Sequence, residues 1–433
     1  MAFIQLESDN PKFSFLIRKN PASGMIVKQL RHGLLFGYYS KGNDRQFNCW
    51  FKDSGSQVSY DVDKEFEFND VTRYSAASFI NNCLDEFFHD VNVKELEDDV
   101  EGFENSLYIN CIRARERGLD IFRRSFDDFT LEYEPMALGF FKVRIQTRQT
   151  LRKLLCFAGI LSLINAIQNR ELKIVDDKLL IKYAKFIQYL DAPYFVRYQF
   201  KANLIHRGKL FDEVREYLDT ETIKFAFGHN FSQRLHFVDK NIVGETIIDM
   251  GCGEGQYLRF AKKVGQYFAI DRDEICREQT CRRIEKLELD NVAVLEAFGQ
   301  LPDISGKKTI LLTEVIEHNS KEEAFELLKQ CLLPESRIIV TTPNRDFNVH
   351  YTFDDDDVET TAGDNVSVVP VAEAEPSAEP LRHHGHVFEF TDDEFRAFIS
   401  ESVVGKDAKI QFVKLGDSVD GVTPQSAALV DIP

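Results

Sequence analysis

Between Glu314 and His318 the chain reads Glu-Val-Ile-Glu-His, two carboxylates and an imidazole in close succession. If helical geometry begins at Glu314, then Glu317 and His318 follow at i+3 and i+4, on the same face. Two carboxylates and an imidazole facing one point suit a divalent cation. Oxygen-rich coordination with some imidazole favours Mg²⁺ or Mn²⁺ over a structural zinc. A fourth ligand could come from Arg382-His383-His384-Gly385-His386 further along. Spacing alone is equally compatible with a helix cap or surface ion pairs.

A second constellation lies upstream, in Asp249-Met250-Gly251-Cys252-Gly253-Glu254-Gly255. A short apolar run, Thr246 to Asp249, ends in an acid and is followed by three spaced glycines. Glycines let the chain turn sharply and bring its backbone close to a ligand at a following helix N-terminus. Roughly 20 residues on, at the end of the next strand, Asp271 is placed to accept hydrogen bonds from ribose hydroxyls. A dinucleotide dehydrogenase would use the same logic. The preceding acid and the Gly-Cys-Gly-Glu-Gly form match the class I methyltransferase pattern, in which the turn cradles the amino-acid part of S-adenosylmethionine.

The elements that must position these groups follow one rhythm. Strand-like runs at Thr246–Asp249, Tyr267–Asp271, Val292–Leu295, Thr309–Thr313 and Arg337–Thr341 alternate with helical stretches. That alternation implies a parallel, doubly wound α/β sheet with ligands at the carboxyl ends of its strands. Strand-like pieces at Ile410–Val413 and Ala427–Val430 could complete the sheet. Residues 230–433 are therefore expected to form a Rossmann-like class I domain, entered through a helix over Gln233–Asn241. An acidic, disordered insertion is expected over 353–380. Residues 1–145 read as a strand-rich α+β module, strands first and helices after. Strands are expected at Phe13–Ile17, Met25–Val27, Leu34–Tyr39, Phe47–Phe51 and Ser106–Ile112, and a helix from Ala76. Residues 146–229 read as a helical segment, with a buried stripe through Leu151, Leu154, Leu155, Ala158 and Leu161.

Length and composition bound the rest. A chain of 433 residues is too long for one ordinary core. The net charge of −18 is uneven: residues 231–433 carry about 21 basic and 38 acidic groups, while residues 1–230 are nearly balanced. That balance argues against broad binding of nucleic-acid duplexes, but not against capture of one RNA end. The apolar run Leu154–Ile167 is too short to span a bilayer, so no membrane partner is expected. The N-terminal residues lack the charged and apolar regions of a secretory signal. The eight cysteines show no paired spacing of a zinc site, and reduced thiols in a cytoplasmic protein are expected.

Three motifs in order carry a family resemblance: Glu-Val-Ile-Glu-His at 314–318, Thr-Thr-Pro-Asn-Arg-Asp-Phe-Asn at 341–348, and His-Gly-His-Val-Phe-Glu-Phe-Thr at 384–391. Over roughly 230–433 the chain resembles the 3′-terminal RNA ribose 2′-O-methyltransferases. This family includes enzymes that protect small silencing RNAs and bacterial enzymes that mark repaired RNA ends. The resemblance implies metal-dependent methyl transfer from S-adenosylmethionine to the 2′-hydroxyl of an RNA with a free 3′ end. It also implies Mg²⁺ or Mn²⁺ held by Glu314, Glu317, His318 and His386, which are then the catalytic residues. Asp249, Gly251, Gly253 and Asp271 are the implied cofactor-binding residues. His383 and His384 compete for the fourth ligand position. Phe298-Gly299-Gln300 departs from the Gly-Ser that relatives place near the adenosine. Asn344 or Arg345 is a candidate contact to the terminal phosphate or sugar.

Residues 12–39 and 74–79 resemble the start of the bacterial RNA-repair methyltransferases. In those proteins an N-terminal module engages a polynucleotide kinase–phosphatase with ligase activity, which makes such a protein the implied partner. Two other classes fit fewer of the residues. A methyltransferase acting on a protein or small molecule would keep the glycine turn without needing the metal cluster. A non-catalytic RNA-repair scaffold would keep the fold without binding cofactor.

Overall fold

The computed structural model describes residues 3–30, 33–53, 77–169, 177–350, 381 and 385–433. The acidic stretch 353–380 and the competing His383 and His384 lie outside these. The chain divides into two compact units, Met1–Leu218 and Asp219–Pro433. The helices expected within 146–229 thus fall mainly in the first unit, with its sheet.

Among the described residues, seven antiparallel strands build the first unit: β1 (Phe3–Ser8), β2 (Ile26–Leu30), β3 (Gly33–Ser40), β4 (Asn43–Asp53), β5 (Asn105–Arg113), β6 (Thr130–Pro135) and β7 (Phe140–Thr147). Their order is β2-β3-β4-β1-β5-β7-β6. Every second residue of β1 is buried, and Ile4 stands opposite both Cys49 and Ile109 on the packed face. The helices Ala77–Val93 and Leu151–Gln168 pack on each other, and the latter also packs on β5 and β7. Leu151–Gln168 is capped by Thr150, whose side chain accepts from the Lys153 N–H. It is long and apolar enough to cross a membrane, yet 83% of that stretch is buried inside the protein, as suits a core helix. Phe13–Leu16, expected as a strand, is one short helical turn instead. Asn10 starts it by accepting the Phe13 N–H on its carbonyl and the Lys12 N–H on its side chain.

The second unit carries a two-stranded piece, β8 (Ile223–Lys224) with β15 (Ser418–Val419), and a seven-stranded sheet. The sheet comprises β9 (Thr246–Met250), β10 (Gln266–Ile270), β11 (Val292–Leu295), β12 (Lys308–Thr313), β13 (Ser336–Pro343), β14 (Lys409–Leu415) and β16 (Gln425–Ile432). Its order is β11-β10-β9-β12-β13-β16-β14, parallel through β13 and antiparallel for β16 and β14. β9 and β12 are buried on both faces, which is why their centres, Ile247-Ile248 and Ile310-Leu311-Leu312, show no apolar–polar alternation. The register sets Met250 beside Ile270, Ile270 beside Leu295, and Thr313 beside Thr341. The glycine turn, Asp271, Glu314 and Asn344 therefore all leave the sheet at its carboxyl edge. Helix Asn230–Asn241 packs against β13 and β14.

Candidate active site

After β9 the chain turns through Gly251, Gly253 and Gly255 with φ of +69°, +51° and +76°, the left-handed region that favours glycine. A Cβ on Gly251 would meet Val315 Cγ2 at 2.7 Å, and one on Gly255 would meet Leu258 Cδ1 at 2.5 Å. A Cβ on Gly253 would meet no atom of the described residues within 4 Å. Two glycines thus serve packing, while the middle one faces open space.

The turn is tied to the end of β10. The N–H groups of Gly251 and Cys252 donate to the Ile270 carbonyl, and the Gly253 N–H donates to Asp271 Oδ2 at 2.8 Å. Asp271 Oδ1 accepts the Asp273 N–H at 2.9 Å. Asp249 is 1% exposed, and its Oδ2 accepts the Tyr267 hydroxyl at 2.6 Å. Burial pushes the Asp249 carboxyl up to about 7, opposed by the Tyr267 hydrogen bond and helped by the neighbouring Asp271 charge. Past β11, Phe298-Gly299-Gln300 forms a 3₁₀ turn that folds Gln300 Oε1 back onto the Glu296 N–H at 2.9 Å.

On the other side of the turn lie the acid–histidine residues. Helical geometry does not begin at Glu314, whose φ is +55°. A short 3₁₀ turn begins instead at Ile316. The expected common face for Glu314, Glu317 and His318 is therefore lost. The Glu314 carboxylate is engaged by Arg234 Nη1 at 2.8 Å, Thr341 Oγ1 at 2.9 Å and Gln425 Nε2 at 3.3 Å. Arg234 comes from helix Asn230–Asn241 and bears no motif that would have marked it in the sequence.

Glu317, His318 and His386 do converge, with one ligand atom from each lying within 4.8 Å of the others. Glu317 is fully buried: Oε2 accepts the Thr342 hydroxyl at 3.3 Å, while Oε1 has no hydrogen-bond partner among the described residues. Burial, and then the nearby Glu314 carboxylate, push the Glu317 carboxyl well above the usual range. A buried carboxylate oxygen without a partner is costly unless a cation or proton satisfies it. His318 Nδ1 lies 2.9 Å from the Gly385 carbonyl, and His386 Nδ1 lies 2.6 Å from Glu389 Oε1. With Nδ1 engaged in both rings, Nε2 is the nitrogen that each would present to a cation. One buried carboxylate oxygen and two imidazoles form a donor set richer in nitrogen than the spacing suggested, and it suits Mn²⁺ or another imidazole-accepting ion better than Mg²⁺.

Asn344 and Arg345 are engaged within the fold. Asn344 Nδ2 donates to the Thr423 carbonyl at 3.0 Å, and Arg345 Nη2 pairs with Glu394 Oε2 at 3.2 Å. Glu389, unnoticed in the sequence, lies behind His386 and accepts the Asn348 amide N–H at 2.5 Å. Its signal was its place three residues after His386 in the His-Val-Phe-Glu run.

The doubly wound sheet and its glycine turn define the second unit as a Rossmann-like class I methyltransferase domain. A methyltransferase-domain model matches residues 222–397, and the model of the Hen1 N-terminal domain matches residues 3–223. The chain belongs to the Hen1 family of RNA 3′-terminal 2′-O-methyltransferases. Among solved structures it is similar to a chain of the Pnkp1/Rnl/Hen1 RNA repair complex, with 24% identity and a TM-score of 0.79 over 99% of this chain and 100% of that one. A second structure of a Pnkp1/Rnl/Hen1 complex gives 24% identity and a TM-score of 0.78 over 100% of both chains. At this identity the likeness is one of fold. No curated protein matches the sequence.

Proposed function

We propose that this chain transfers the methyl group of S-adenosylmethionine to the 2′-hydroxyl of the 3′-terminal ribose of RNA, in RNA repair. The observation that carries this reading is the buried Glu317 Oε1, without a hydrogen-bond partner among the described residues, beside two oriented imidazoles at the sheet edge that bears the glycine turn. A methyltransferase for a protein or small molecule has no need of that cluster.

In this reading Glu317, His318 and His386 hold Mg²⁺ or Mn²⁺, and Glu314 joins them only by exchanging its contact with Arg234. A bound divalent cation would supply orientation of the vicinal 2′- and 3′-oxygens and a lower pKa for the 2′-hydroxyl. Asp249, Gly251 and Gly253 cradle the amino-acid end of the cofactor, and Asp271 accepts its ribose hydroxyls. With the sulfonium fixed by the turn and the ribose fixed at the cluster, in-line approach becomes a matter of positioning. The Hen1 N-terminal domain would engage a kinase–phosphatase/ligase partner, which the full-length likeness to a chain of an RNA repair complex supports. The expected setting is cytoplasmic.

The test is transfer of labelled methyl from S-adenosylmethionine to short RNAs with MnCl₂ or excess chelator. Label is expected on an RNA with a free 3′-terminal ribose, and neither on a 2′-deoxy end nor in chelator. Alanine at Glu317 or His318 should abolish transfer while leaving cofactor binding intact. Undiminished transfer in chelator or in these variants would sink the metal mechanism.

A further inference from the structure

The segment Gly385–Glu389 touches every member of the converging triad. Its Gly385 carbonyl meets His318 Nδ1 at 2.9 Å, and the Val387 N–H donates to the Glu317 carbonyl at 2.8 Å. Its His386 is itself a member, and its Glu389 carboxylate meets His386 Nδ1 at 2.6 Å. The two imidazoles are therefore oriented by unlike groups, His318 by a neutral carbonyl and His386 by a carboxylate. Glu389 is 1% exposed, and both of its oxygens are used: Oε1 by His386 and Oε2 by Asn348 Nδ2 at 2.5 Å. Asn348 closes the motif at 341–348 and Glu389 lies in the motif at 384–391, so this contact joins the two.

We propose that Glu389, held in place by Asn348, is a positioning residue that fixes the tautomer and ring orientation of His386 and strengthens it as a cation ligand. This rests on the reading that Glu317, His318 and His386 hold a divalent cation. A carboxylate on Nδ1 keeps the proton there, turns the Nε2 lone pair outward and raises the basicity of the ring. A second negative charge behind the ligands also offsets the charge of a divalent ion that Glu317 alone only halves. The Asn348 amide stops the Glu389 carboxylate from rotating away, and its hydrogen bond satisfies the second oxygen of a side chain that is itself buried.

The experiment measures Mn²⁺ affinity of the full chain with MnCl₂ alone, from the free Mn²⁺ electron paramagnetic resonance signal. Thermal stability and S-adenosylmethionine affinity are followed in parallel. Glu389→Gln is expected to weaken Mn²⁺ binding by about 10- to 100-fold with cofactor affinity unchanged. Gln sets an amide N–H against the Asn348 amide, so Asn348→Asp in the same chain should restore an acceptor and recover part of the affinity. Asn348→Ala keeps the Glu389 carboxylate and is expected to weaken Mn²⁺ binding less than Glu389→Gln, which keeps the test open should the latter fold poorly. Mn²⁺ affinity within twofold of the parent in both Glu389→Gln and Asn348→Ala would overturn the proposal, provided His386→Ala loses the ion. If His386→Ala binds Mn²⁺ like the parent, the underlying reading falls and the proposal with it.

Discussion

Arg234 Nη1 lies 2.8 Å from Glu314 Oε2, and the two side chains are 10% and 21% exposed. Helix Asn230–Asn241 thereby holds the first carboxylate of Glu-Val-Ile-Glu-His away from the imidazoles. Thr341 and Gln425 complete its coordination. The sheet edge thus carries two neighbouring acids with different partners: Glu314 faces a guanidinium, and Glu317 faces two histidines.

Arg234→Met should expose the cost of that arrangement. Removing one partner of a nearly buried pair leaves a charge uncompensated, and about 3 kcal/mol of unfolding free energy should be lost. Adding Glu314→Gln to Arg234→Met should recover a good part of the loss, because the stranded charge goes too. Urea unfolding of the parent, the single variant and the double variant measures both effects. A double variant no more stable than Arg234→Met would show that the ion pair is not what the arginine contributes.

Much of this site was legible because its parts are local in sequence. β9 and β12 announce themselves as apolar runs, each ending where a polar group must leave the sheet, and the glycines follow β9 at once. Glu317 and His318 are neighbours, so any local backbone brings them close. The helical start at Glu314 does not form, because the common face it would give depends on helical φ and the φ of Glu314 is +55°. Phe13–Ile17 was misread as a strand for a related reason. Periodicity in five residues cannot separate a strand from a helical turn, and the Asn10 hydrogen bonds decide it. Arg234 and Glu389 act through partners 80 and three residues away, at Glu314 and His386. Only the fold pairs the first. The second is local, but no residue type in His-Val-Phe-Glu shows that its acid turns back onto the imidazole.

Gly253 and Gly255 of the turn should respond differently to alanine. At Gly253 the added methyl meets no neighbour among the described residues, so the cost to stability is the strain of a left-handed alanine, about 1 kcal/mol. The same methyl enters the space assigned to the cofactor, and affinity for S-adenosylmethionine should fall at least about tenfold, since 1.4 kcal/mol of contact is tenfold in binding. Alanine at Gly255 adds the 2.5 Å clash with Leu258 to the same backbone strain and should destabilise more. Thermal melts and calorimetric titration of the two variants separate the effects. A Gly253→Ala protein that binds cofactor like the parent would remove this glycine from the cradle.

Asp249 makes stability depend on pH in the sense opposite to that of a salt-bridged acid. Its carboxyl is held up at about 7 in the folded chain, against 3.8 for the free group, because burial disfavours the charge. Between these pH values the folded state binds more protons than the unfolded one, so stability falls as pH rises. The loss is complete above about pH 7 and amounts at most to about 4 kcal/mol, taking 1.36 kcal/mol for each pH unit. Asparagine carries no such charge. Measured by urea unfolding at intervals from pH 4 to 8, Asp249→Asn should gain on the parent as pH rises, with the gain flattening above pH 7. Glu317 contributes a slope of the same sign, but equally in both proteins, so it cancels in the difference. Tyr267→Phe removes the hydrogen bond that favours the charged carboxylate and should move the flattening to higher pH. The cofactor responds with the opposite sign, because its ammonium and sulfonium groups are attracted only by ionised Asp249. Affinity for S-adenosylmethionine should therefore strengthen from pH 6 to 7 in the parent and stay flat over that range in Asp249→Asn, below the titration of the cofactor's own ammonium at about pH 8. A stability difference that does not change with pH would mean that Asp249 does not hold its proton in the fold.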